Sequence, residues 1–149
     1  MEQSSVKSSK VKFNGEHFSF AIPENLSLRA RQEQIREKLI RWYRHQAQEI
    51  LGSRIFHCAR VVGVEPKKVA VRTQKRIWGS CHHGKGSINL NWLIVLSPIE
   101  VIDYVIIHEL CHLIVPNHSK KFWQKVESFL KDYRHHERWL KDHSVEMIL

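Results

Sequence analysis

Residues 99–115 read IEVIDYVIIHELCHLIV, and apolar side chains occupy nearly every position around the helix that this pattern predicts. A helix that is apolar on all sides is buried inside its domain. Five polar side chains interrupt the run: Glu100, Asp103, His108, Glu109 and His112. The segment therefore falls short of the ~20 largely apolar residues of a membrane span. The chain is expected to fold around this helix as a core element.

The segments around this helix predict an α+β fold in a single domain over residues 1–149, with an N-terminal hairpin region over 1–26 and the helices, a small sheet and a metal site over 27–149. Ser97 and Glu100 can form a capping box that starts the buried helix, and Pro116-Asn117 ends it near Val115. The other predicted elements are a hairpin turn at Asn14-Gly15, a helix from Ser27 that breaks at Gly52, a helix over 53–62, strands over 69–71, 77–81 and 87–91, and helices over 119–131 and 134–143.

The buried helix carries an HExxH motif, His108-Glu109-Leu110-Cys111-His112. At 100° per residue, His108 and His112 lie about 40° apart on one helical face, with Glu109 beside them. Two imidazoles one turn apart can bind the same zinc ion, and the carboxylate can reach a water molecule on that ion. Burying these groups without partners would cost several kcal/mol. A bound metal removes that cost, and a buried His–Glu hydrogen-bond network is the alternative.

A third histidine completes the ligand set of zinc hydrolases, which is three protein ligands and one open position. His118 follows His112 by six residues, the spacing of HExxHxxGxxH sites, although Val115 stands where that motif has glycine. The sequence therefore predicts one Zn²⁺ ion per chain, held by His108, His112 and His118. Glu109 is the predicted catalytic base.

Four separated motifs occur in an order that resembles the YgjP-like metallopeptidases. They are Trp78-Gly79-Ser80-Cys81, Ile88-Asn89-Leu90-Asn91-Trp92, Tyr104-Val105 with the HExxH motif, and Asn117-His118-Ser119 with Phe122-Trp123. The resemblance covers residues 69–140, and the group is similar in its zinc motif to the SprT-like and WLM proteases. It implies a minimal zincin, in which a small sheet packs on the long HExxH helix with additional helices. It also implies the three histidines as zinc ligands and Glu109 as base.

Charge and cysteine content indicate which partners and which cellular compartment to expect. The formal net charge of +9 favours polyanionic partners such as nucleotides or nucleic acid, although no aromatic-plus-basic recognition motif and no GxxxxGK[ST] phosphate loop accompany it. Three cysteines without a CxxC pair indicate reduced thiols, and the Ser/Lys-rich first 12 residues lack the apolar core of a signal peptide. We therefore expect a soluble, cytoplasmic protein without membrane contact.

Together these patterns predict a zinc-dependent hydrolase, namely a metallopeptidase that cleaves polypeptides with a glutamate base. The strand over 87–91 is expected to form the rim of the cleft, where an unpaired edge would hold an extended peptide by β-augmentation. Two other classes stay open: a metal-dependent nucleoside-triphosphate pyrophosphatase, an activity also attributed to the YgjP-like group, and a DNA-associated zinc protease module. His82-His83 is a weaker metal-binding candidate, and His135-His136 is a weaker candidate for a supporting contact or oxyanion donor.

Overall fold

The computed structural model describes residues 11–74 and 77–147. The chain divides after Gln46 into two compact units. Within the described residues the helices and strands, in chain order, are β1 (Lys12–Phe13), β2 (Phe18–Ser19), α1 (Leu28–Val62), β3 (Lys68–Arg72), β4 (Gly79–His82), β5 (Ser87–Asn91), α2 (Ile99–His112), α3 (Lys120–Phe129) and α4 (Tyr133–His143). The fold is mixed α+β, as the sequence predicts.

The first unit contains a short antiparallel hairpin and the N-terminal part of α1. β1 pairs with β2 around the turn predicted at Asn14-Gly15, where the side-chain oxygen of Asn14 accepts the backbone N–H groups of Glu16 and His17 at 3.0 and 2.7 Å. Gly15 has a φ of 98°, which only glycine adopts readily. Five aromatic side chains pack together beside this hairpin: Phe13, Phe18, Phe20, Trp42 and Tyr43. Residues 1–10 of the predicted hairpin region lie outside the described residues.

Three strands of the second unit form a sheet in the order β3-β5-β4. The central strand, β5, pairs parallel with β3 and antiparallel with β4. The prediction that the strand over 87–91 offers an unpaired edge is therefore wrong. The physical reason is burial, because Ile88 and Leu90 are completely covered and a central position covers a strand better than an edge does. Of the strands in this sheet, β4 makes the more extensive contact with α2, and β5 makes a smaller one.

α2 is the centre of the core in the second unit, and 10 of its 14 residues are buried. Asp103, in the first half of this helix, is paired with Arg54 of α1 through two hydrogen bonds, Nε to Oδ1 at 2.8 Å and a terminal guanidinium nitrogen to Oδ2 at 2.5 Å. Such a fork-to-fork pair satisfies a carboxylate that would otherwise be buried at a cost. Over residues 11–74 and 77–147, no helix is both long enough and apolar enough to cross a membrane.

The ends of α2 differ from the prediction. Ser97 does not cap the helix, because its hydroxyl donates to the carbonyl of Ile94 in the preceding 3₁₀ turn. The helix begins instead after Pro98, whose carbonyl accepts the N–H groups of Val101 and Ile102. The helix also ends at His112 rather than near Val115. The other strands and helices predicted after residue 63 are present: β5 has the predicted bounds, and the ends of the rest are shifted by no more than two residues.

Gly52 does not break α1, contrary to the prediction. The helix runs through this position because Leu51 and Ile55 on either side of it are buried in the core, and this packing exceeds the intrinsic penalty of about 1 kcal/mol for one glycine. Gly63, just past the last residue of α1, does end the helix, with a φ of 81°. The two glycines therefore have different roles, although both are exposed.

We expect Gly52→Ala to raise the free energy of unfolding by about 0.5–1 kcal/mol, because alanine reduces the freedom of the unfolded chain. A Cβ atom at this position would meet nothing within 4 Å. Gly63→Ala is the matched control and should destabilise the protein, because its positive φ strains any side chain. Urea unfolding of both variants measures the difference, and equal effects at the two sites would contradict it.

Candidate metal centre

The turn after α2 brings the third predicted histidine back beside the second. The ring nitrogen Nδ1 of His112 lies 3.1 Å from the carbonyl oxygen of Val115, so the side chain that ends the helix also holds the turn. Ser119 then starts α3, because its hydroxyl accepts the N–H group of Phe122 at 3.4 Å. His118, directly before this cap, is thereby fixed next to His112. The glycine of the HExxHxxGxxH pattern is not needed for this turn.

The Nε2 atoms of the three histidines converge on one point. The Nε2 atoms of His112 and His118 are 3.0 Å apart, and those of His118 and His108 are 3.3 Å apart. Zn–N bonds of 2.0–2.1 Å in a tetrahedron place two ligand nitrogens about 3.3–3.4 Å apart. The second distance matches this value, and the first is a few tenths of an ångström shorter. The three side chains are therefore arranged so that they can hold one metal ion.

The protonation of the rings fits the same arrangement. A contact with a carbonyl oxygen requires a proton on Nδ1 of His112, which leaves the lone pair on Nε2 facing the other two histidines. Burial, together with the neighbouring His112 and His118, lowers the pKa of His108 to about 3. Burial also lowers the pKa of His112. Neutral imidazole is the form that binds metal, so the site favours the ligating state.

Aromatic side chains of α3 pack against the three imidazoles. The ring of His112 stacks on Phe122 with centroids 4.1 Å apart and an interplanar angle of 12°, and His118 lies parallel to Trp123 at 5.8 Å. Phe122 is completely buried. Because these rings fill the space behind the histidines, they restrict rotation of the imidazoles and limit the access of water from that side.

Glu109, the residue after His108 in α2, lies against Gly79 of β4. Its side chain is only 6% exposed, and burial raises the pKa of its carboxyl group to about 7. A group that exchanges a proton near neutral pH is suited to general acid–base chemistry. Burial, and to a smaller extent the charge of Glu109, raises the pKa of the Cys81 thiol on β4 to about 11.

The weaker sequence candidates lie outside the histidine cluster. His83 contacts the carbonyl oxygen of His112 through Nδ1 at 3.1 Å, and His82 accepts the N–H of Lys85 at 3.2 Å. A cavity of about 330 Å³ opens here, lined by Cys81, His82, His83, Gly84, His112 and Pro116. The ring of His136 lies 6.2 Å from that of Tyr104. Its neighbour His135 lies against His136.

The close approach of Gly79 to Glu109 cannot be predicted from the sequence. A Cβ atom on Gly79 would lie 2.9 Å from Cγ of Glu109. The only signal in the sequence is the Trp-Gly-Ser-Cys motif, which the resemblance includes without a role. Contacts between a strand and a helix distant in sequence are not visible in local patterns.

The fold is similar to that of a known metallopeptidase. A solved structure of similar fold is the metallopeptidase zymogen of Pyrococcus abyssi abylysin, with a TM-score of 0.55 and 23% identity, covering 62% of this chain and 93% of that chain. A search of the curated proteins finds no match. The family model for the YgjP-like metallopeptidase domain matches residues 3–143. The chain therefore belongs to the YgjP-like metallopeptidase family, and the match extends well beyond residues 69–140, which contain the four motifs of the resemblance.

Proposed function

We propose that this protein is a zinc-dependent peptidase in which His108, His112 and His118 hold the metal and Glu109 is the general base. The observation that carries the proposal is the convergence of three Nε2 atoms, with separations of 3.0 and 3.3 Å, at a helix that also buries the carboxyl group of Glu109, the residue after His108. Three neutral nitrogen ligands with an open fourth position are the donor set of catalytic zinc. A network of His–Glu hydrogen bonds would not require three ring nitrogens to face one point.

In this mechanism the chain's own groups have separate tasks. A bound zinc ion would supply the Lewis acidity that polarises the scissile carbonyl and acidifies water. Glu109 takes the proton from the attacking water and passes it to the leaving amine. The aromatic side chains of α3 hold the histidines in place. The basic surface attracts acidic segments of a polypeptide, since the formal net charge is +9.

The substrate is proposed to lie along the outer edge of β4. Asn91 donates to the carbonyl of Trp78 at 2.8 Å, which makes this a hydrogen-bonded pair of the antiparallel ladder. Hydrogen-bonded and non-bonded pairs alternate along such a ladder. The backbone groups of Gly79 and Cys81, opposite Leu90 and Ile88, therefore point away from β5. An extended peptide can pair with them next to Glu109 by β-augmentation.

We expect Cys81→Pro to reduce kcat/KM for peptide cleavage about twofold to tenfold, which is the value of one lost backbone hydrogen bond. Proline removes the outward N–H group but no bond of the ladder to β5, so an edge strand tolerates it. Cys81→Ala is the matched control, because it loses the thiol and keeps the N–H group. Peptidase kinetics of both variants provide the measurement. Equal loss in the two variants would assign the effect to the side chain and contradict pairing along β4.

The experiment that tests the function is incubation of the zinc-loaded protein with a peptide library, with cleavage read by mass spectrometry and a chelator-treated control. Cleavage that stops on chelation and returns with zinc is the expected result. A parallel incubation with nucleoside triphosphates tests the alternative. Metal-dependent release of pyrophosphate, without cleavage of any peptide, would replace the peptidase proposal with that of a pyrophosphatase.

A further inference from the structure

The backbone of β4 passes unusually close to the side chain of Glu109. A Cβ atom built on Gly79 would lie 2.9 Å from Cγ of Glu109, 3.2 Å from its Oε1 and 3.3 Å from the carbonyl oxygen of Asn89. Carbon atoms in ordinary contact are about 3.5–4.0 Å apart. Any side chain at position 79 would therefore occupy space that the glutamate and the neighbouring strand already fill.

The need for glycine at this position is a matter of space and not of backbone conformation. Gly79 is paired in β4 opposite Leu90, and it is not among the glycines with positive φ, which are Gly15, Gly63 and Gly86. Alanine can adopt the backbone of Gly79 without strain. The atoms that would have to move for an alanine are chiefly Cγ and Oε1 of the Glu109 side chain.

We propose that Gly79 is a positioning residue for Glu109: its missing side chain leaves the space in which the carboxylate lies against β4. This inference rests on the proposed function, in which that carboxylate is the base. The backbone of β4 at Gly79 limits the space open to the Glu109 side chain on the side that faces the strand. The same residue presents its backbone N–H and C=O to the outer edge of the strand, so the carboxylate is held beside the point where an extended peptide would pair.

The kinetic test compares Gly79→Ala with the wild type. Displacing a reacting group by about 1 Å can lower a rate about 10²-fold. We therefore expect kcat for peptide cleavage to fall about tenfold to a hundredfold, with KM and the zinc content unchanged. Gly52→Ala, the same substitution at an exposed position of α1, should leave kcat unchanged. A full kcat in zinc-loaded Gly79→Ala would overturn the proposal.

A second test does not depend on activity or on metal. Thermal unfolding of the metal-free protein is measured for the wild type, Gly79→Ala, Glu109→Ala and the double variant. Because Glu109→Ala removes the Cγ and Oε1 atoms, Gly79→Ala should lower the unfolding temperature clearly in the wild-type background and much less in the Glu109→Ala background. If the single Gly79→Ala variant does not fold and the double variant does, the result also shows that the alanine clashes with the Glu109 side chain.

The two tests separate the possible failures. Equal losses of unfolding temperature in both backgrounds would place the clash at Asn89 and overturn the role of Gly79 toward Glu109. If the effects of the two substitutions on the unfolding temperature are coupled but kcat does not change, Gly79 and Glu109 are only in packing contact. That result would overturn the positioning role. If the wild type cleaves no peptide, the proposed function fails, whereas the unfolding cycle still decides whether Gly79 sets the place of Glu109.

Discussion

His118→Ala is expected to lower the affinity for zinc by more than about hundredfold. Loss of a group that only supports a ligand costs 10–100-fold in metal affinity, so loss of a ligand should cost more. His118 is exposed, and its removal opens no cavity in the core. The fold should therefore survive, and the loss can be assigned to the metal site. Titration of the metal-free protein with zinc, in competition with a chromophoric chelator, measures the affinity.

His82→Ala is the control for this prediction. His82 is an exposed histidine of the neighbouring hairpin that accepts a bond from Lys85 and does not join the histidine cluster. It should bind zinc as the wild type does. Zinc should also raise the unfolding temperature of the wild type and the control, because a ligand that binds the native state stabilises it by an amount that grows with the logarithm of its concentration over its dissociation constant. Wild-type affinity in His118→Ala, or no zinc uptake by the wild type, would remove the site assignment.

The sequence determines α2 and its cluster because those features depend on local spacing. The apolar run over 99–115 predicts a buried helix, and HExxH fixes the positions of His108 and His112 relative to one another on any helix. The return of His118 can be predicted from its short separation along the chain. These inferences need only the geometry of a single helix and its following turn.

The features that the sequence does not determine depend on tertiary packing. The order β3-β5-β4 depends on which strand is covered from both sides, and the hydrophobic pattern of a five-residue strand does not distinguish a centre from an edge. Gly52 is helical because the residues around it are buried, an effect that local propensity omits. Ser97 has a capping sequence, yet its hydroxyl bonds backward to Ile94. The contact of Gly79 with Glu109 joins residues thirty positions apart.

Glu109→Gln is expected to lower the rate of peptide cleavage about 10²–10⁴-fold, the usual effect of losing a general base. The amide keeps the size of the carboxylate and its place against Gly79, yet it cannot take a proton from water. Zinc affinity should stay near that of the wild type, since none of the three histidines is changed. Glu100→Gln is the matched control: the same change at an exposed position in the first turn of α2 should leave the rate unaltered.

The same variant separates catalysis from stability. Burial disfavours the charged form of Glu109, and this is why the pKa of its carboxyl group is raised. A neutral amide avoids that penalty, so the unfolding temperature of Glu109→Gln should equal or exceed that of the wild type. Loss of activity together with retained zinc and retained stability is the combination expected of a catalytic base. A zinc-loaded Glu109→Gln variant that cleaves peptides at the wild-type rate would exclude Glu109 as the base, and a marked fall in its unfolding temperature would indicate a structural role for the carboxylate.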